Sequence, residues 1–128
     1  MVVVVVGAGG ALGAILRYYL TDWVRHVAGA EMPWGTLVVN VLGSLAFGFV
    51  LVWLQSRAAS TQAREFLAIG LLGSFTTFST YSYETVALAR AGEVWRAGGY
   101  AVGSLILGLL GVVLGASLGT ALTRGLGG

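Results

Sequence analysis

Eleven consecutive residues hold the densest polar chemistry of this chain. From Ser74 to Glu84 run six Ser/Thr hydroxyls and two tyrosines, with Gly70 and Gly73 just upstream. Glycine disfavours a helix, and hydroxyls compete with it for backbone partners. Two readings stay open. A break near Gly73–Thr77 would free carbonyls able to hold a cation, whereas a packed, Thr-rich helix would bond its hydroxyls back to its own turns. Within the run, Phe78 and Tyr81 share a face at i, i+3 spacing. Aromatic edges carry partial positive charge. With hydroxyl donors alongside, they can replace the water shell of a small anion and still release it, because no fixed cation traps the ion. Aromatic core packing is the plainer alternative.

Further donors lie elsewhere. Thr36 and Asn40 are one turn apart, as are Tyr100 and Ser104. Each pair can serve a passing anion or act as glue between helices. Arg17 falls close enough to a predicted helix end to snorkel to the interface and draw anions to the mouth. Glu84 is the one acidic candidate for a transport role, and a helix-end carboxylate is its other reading. His26, in a charged loop, is expected to be solvated.

These residues need elements to hold them, and the charge pattern names the elements. The 128 residues carry seven arginines, five acids and no lysine, and only 9% are charged. A soluble domain carries about 25%. Residues 1–16, 32–56, 66–83 and 97–123 are free of charge. A membrane-crossing helix needs about 20 mostly apolar residues. One four-helix transmembrane domain spanning 1–128 is therefore expected, with helices over about 2–23, 35–55, 64–90 and 97–122. The β-branched start at Val2–Val6 belongs to the first helix, since a lone strand cannot satisfy its backbone in lipid. Gly9/Gly13 and Gly111/Gly115/Gly119 suit close helix contacts. Pro33 and Trp34 mark the start of the second helix, with Trp53 at its far end.

Several function classes drop out. The sequence has no cysteine, hence no disulfide or thiolate site. No nucleophile triad, metal-ligand cluster or phosphate loop supports an enzyme, and the scattered arginines make no nucleic-acid surface. A cleaved signal peptide is not expected, because no basic residue precedes the first apolar run.

Four helices place the termini and the second loop on one side. That side carries Arg57, Arg64 and Arg124, and the other carries Arg25, Arg90 and Arg96. Three against three gives no orientation bias, and counting Arg17 makes it three against four. Insertion in both orientations is expected, and with it an antiparallel dimer.

Three segments, Gly9-Gly-Ala-Leu-Gly13-Ala-Ile-Leu-Arg17-Tyr18, Pro33-Trp-Gly-Thr36-Leu-Val-Val-Asn40 and Gly73-Ser-Phe-Thr76-Thr77-Phe78-Ser79-Thr80-Tyr81-Ser-Tyr-Glu84, resemble the Fluc (CrcB) fluoride channels. The likeness covers the first three helices in order. It implies a passive fluoride channel that relieves the cell of toxic fluoride, in the cell (inner) membrane and surrounded by lipid. It implies an all-α antiparallel dual-topology dimer with a broken third helix. By that similarity Asn40 and Phe78 line the pathway, Tyr81 takes the place of a second pore phenylalanine, and Thr36, Tyr100 and Ser104 lie on a polar track with Glu84 near it. Backbone carbonyls of Gly73 and Thr76 from both subunits would hold a structural Na⁺. Two departures stand out: Tyr81 replaces a phenylalanine, and Gly108 stands where another serine is expected. Either is compatible with a homodimer or with a heterodimer of homologues. The alternative is a small-multidrug-type proton-coupled exporter. That chemistry needs a carboxylate in the first helix, which has Arg17 instead.

Overall fold

The computed structural model describes residues 1–125. Helix α1 spans Val2–Ala28 and ends at Gly29, whose φ of +86° suits a residue without a Cβ. Arg25 and His26 in its last turn complement the negative end of the helix dipole. Pro33 precedes α2, Trp34–Ser56. The third pass is assembled from pieces. Ser60 caps the short α3, Thr61–Arg64, by accepting the Ala63 N–H at 3.2 Å. A π-helical segment, Glu65–Leu72, and one turn of α4, Gly73–Phe75, follow without interruption. Thr76 and Thr77 are then extended, with ψ of 158° and 113°. Helix α5, Phe78–Arg90, completes the pass, and Gly92 (φ +84°) turns the chain into α6, Val94–Gly125.

Helices α1, α2 and α6 are each long and apolar enough to cross a membrane. Neither half of the broken pass is. The 13 residues of α5 rise about 20 Å, short of the roughly 30 Å of hydrocarbon. The break therefore falls inside the membrane, and of the two sequence readings of the hydroxyl run the broken helix is the one found. The first helix also continues past the expected Trp23 to Ala28, which sets Arg17 further from the helix end.

Lipid supplies no hydrophobic drive between helices, so close backbone approach must hold them. The glycines provide it. Gly13 of α1 sits against the Leu71 carbonyl of the π segment, and Gly9 packs beside Phe66 and Gly70. Gly115 of α6 sits against the Leu45 carbonyl of α2, and Gly48 of α2 against the Val112 carbonyl. Val39 and Leu54 are wholly buried among these helices, while Leu105, Ile106, Leu109 and Val113 face outward. An apolar outer surface is what a bilayer solvent requires.

Candidate functional site

The break is held by one side chain. Asn40 Oδ1 accepts the Thr77 N–H at 2.7 Å, and its Nδ2 donates to the Thr77 carbonyl at 3.0 Å. Without that amide, two backbone groups would stand orphaned in the membrane, at several kcal/mol each. Thr77 in turn caps α5. Its Oγ1 accepts the Thr80 N–H at 3.2 Å and donates to Thr80 Oγ1 at 2.9 Å.

These diversions free two carbonyls. In a continuous helix the Gly73 carbonyl would receive the Thr77 N–H, now taken by Asn40. The Thr76 carbonyl would receive the Thr80 N–H, now taken by the Thr77 hydroxyl. The break takes the helical donors of the Ser74 and Phe75 carbonyls away as well, since α5 restarts only at Phe78, and the Thr76 carbonyl accepts from Arg17 instead. Each of these carbonyls offers a hard, neutral oxygen of the kind alkali and alkaline-earth cations favour. No group of three His, Cys, Asp or Glu side chains that could hold a metal ion occurs among the described residues.

Arg17 differs from its expectation. It does not turn toward the membrane surface. Its Nη1 donates to the Thr76 carbonyl at 3.4 Å. Because α1 runs to Ala28, Arg17 lies 11 residues from the helix end, about 16 Å at helical rise. The freed carbonyl is the nearer partner for its charge.

A second cluster joins α2, α5 and α6. Thr36 Oγ1 donates to Glu84 Oε1 at 2.9 Å, and the Tyr100 hydroxyl donates to Oε2 at 2.7 Å. Thr36 and Tyr100 are buried, at 2% and 4% exposure. Glu84 is therefore a bridging carboxylate and not merely a helix-end charge. It also lines a 370 Å³ cleft with Thr21, Arg25, Glu31, Pro33 and Thr36, which opens toward the first loop.

The aromatic residues form a ladder beside it. Phe78 and Tyr81 have ring centroids 5.7 Å apart, and Tyr81 and Tyr100 are 5.5 Å apart. The Tyr81 hydroxyl donates to the Ala101 carbonyl at 2.9 Å, so the extra oxygen is tied to α6. Phe78 is not core. At 79% exposure its ring projects from the chain. Ser104 Oγ is buried with no hydrogen-bond partner.

The structure thus brings Thr36, Glu84 and Tyr100 into one cluster, Phe78 and Tyr81 into its aromatic flank, and Arg17, Asn40, Gly73 and Thr76 around the break. The importance of the Thr77 peptide was missed in the sequence. Asn40 lies 37 residues away, and no local pattern couples the two.

A family model for CrcB-like protein, Camphor Resistance (CrcB), matches residues 4–116. The chain belongs to the CrcB-like family. Relatives of this CrcB-like chain include proteins named fluoride-specific ion channel FluC. One from Thermus thermophilus is 56% identical over 117 residues, 91% of this chain and 92% of the relative. One from Roseiflexus sp. (strain RS-1) is 47% identical over 119 residues, 92% of this chain and 96% of its own. Another, from Dehalococcoides mccartyi (strain CBDB1), is 40% identical over 126 residues, 98% and 97% of the two chains. The family is one of ion channels and not of enzymes.

Proposed function

We propose that the protein is a fluoride-specific channel that lets the anion leave the cell passively across the inner membrane, protecting the cell from it. The observation that carries this reading is the likeness, over about nine-tenths of the chain, to proteins named for that activity. The local chemistry agrees with it. Ser104 and the second amide hydrogen of Asn40 are neutral donors without a partner in the chain, and Phe78 and Tyr81 offer aromatic edges. Such groups can desolvate a small anion without trapping it. Glu84 keeps the Thr36 and Tyr100 hydroxyls oriented, and Arg17 supplies positive potential at the break. An exporter coupled to protons gains nothing from this arrangement, since the first helix holds no carboxylate within its apolar stretch.

The working unit in this reading is an antiparallel homodimer in the lipid bilayer. Balanced arginines support it. The carbonyls of Gly73 and Thr76 from both subunits would hold Na⁺ at the two-fold axis. When bound, that ion would offset carbonyl repulsion and tie the subunits together.

Liposomes loaded with fluoride or with chloride and carrying the purified protein test the reading. Voltage-driven fluoride efflux without chloride efflux is the expected result, and absence of fluoride efflux from a folded protein overturns it. Phe78→Ile should cut the flux at least tenfold while leaving the size-exclusion profile unchanged. Undiminished flux would remove Phe78 from the pathway.

A further inference from the structure

Helices α2 and α6 carry matching stripes. Thr36, Asn40 and Ser44 recur every four residues on α2, and Tyr100, Ser104 and Gly108 do so on α6. The two helices run parallel and in step. The Val41, Leu45 and Phe49 carbonyls lie in turn against Gly111, Gly115 and Gly119. Glu84 bridges Thr36 to Tyr100 at one end of the stripes, and Ser44 faces Gly108 at the other. The stripes therefore make three rungs, about 6 Å apart along the helices.

The rungs differ in what is left to bind. Glu84 fills the first. On the second, Asn40 is engaged with the Thr77 peptide, but Ser104 Oγ is buried and unpartnered. Other hydroxyls in this protein behave differently. Those of Ser82, Thr85, Ser117 and Thr120 each donate to the carbonyl four residues earlier, at 2.8–2.9 Å. Ser104 forgoes that local bond, and a buried donor without an acceptor is costly. On the third rung Gly108 contributes no side chain. A Cβ built there would lie 3.6 Å from Ser44 Oγ, so the hydroxyl looks across a gap about one atom wide.

We infer that Ser44 adds a fluoride subsite opposite Gly108, its hydroxyl donating to a dehydrated ion in the space that the missing side chain leaves, one turn beyond the unpartnered Ser104. The subsite rests on the fluoride reading above and extends it to a residue on α2. Position 108 carries no side chain, and the facing helix supplies the hydroxyl. Neutral donors suit passage, and an atom-sized gap suits fluoride over chloride.

The test compares fluoride efflux from liposomes for the unaltered protein, Ser44→Ala, Ser44→Thr and Gly108→Ala. Ser44→Ala should lower the flux about tenfold or more, and Ser44→Thr, which keeps the hydroxyl, should stay within about threefold of the unaltered protein. Gly108→Ala places a methyl at ordinary contact distance from Ser44 Oγ. It should leave folding intact and lower the flux as much as Ser44→Ala does. A binding readout separates the subsite from packing: fluoride, compared with chloride, should raise the melting midpoint of the unaltered protein but less so that of Ser44→Ala. Flux and fluoride stabilisation unchanged in both alanine variants overturn the subsite. Absence of flux in the unaltered protein overturns the channel reading instead.

Discussion

Asn40 shows how a single amide decides the local structure. Hydrogen bonds between membrane helices average about 0.6 kcal/mol, so its two bonds to Thr77 contribute about 1 kcal/mol directly. The larger effect is negative: losing them strands a peptide group in hydrocarbon. Asn40→Asp keeps an acceptor for the Thr77 N–H but sets a carboxylate oxygen against the Thr77 carbonyl. It should reduce fluoride efflux by at least tenfold and lower the melting midpoint, which circular dichroism on heating checks. Tyr81→Phe should do less. It removes the bond to the Ala101 carbonyl while keeping the ring, so flux should stay within about threefold as the midpoint falls by a few degrees. At this scale the sequence was legible where residue type alone carries chemistry, as with the hydroxyl run and Phe78. It was not legible for Arg17, whose partner depends on where α1 ends, nor for Thr77, whose partner lies on another helix.

Among the elements, the glycine seams matter most. Gly13 meets the Leu71 carbonyl and Gly115 meets the Leu45 carbonyl, both too close for any side chain. Gly115→Leu should therefore separate α6 from α2 and yield aggregated protein on size-exclusion chromatography. Gly99→Leu should elute normally, because nothing lies within 4 Å of a Cβ there. The four passes were readable from charge-free stretches, since hydrocarbon excludes charge. The G-x-x-x-G spacings also pointed to these seams. The π-helical segment was not readable. It packs against α1 glycines more than 50 residues upstream, and no window of local sequence contains both.

Across the whole molecule, orientation depends on very few charges. Loop arginines divide three and three, so two added lysines on one side should decide the matter. Gln55→Lys with Gln62→Lys would bias the chain toward one orientation. Accessibility of a C-terminal tag, expected from both faces for the unaltered protein, should then become one-sided. If opposite orientations make the working unit, fluoride efflux from the cells should fall in parallel. The arginine balance could be counted from the sequence, whereas the exposure of Phe78 needed the fold.

The step between α2 and α6 has a consequence for chain length. Glycine seams and polar stripes share the same two helices, so deleting one residue between Gly108 and Gly111 turns everything beyond by about 100°. The rungs at Thr36/Tyr100 and Ser44/Gly108 would keep their places while Gly111, Gly115 and Gly119 swung away from α2. Insertions in the turn at 57–60 disturb neither set. This protein should accept added residues in that turn far more readily than the loss of a single residue within α6.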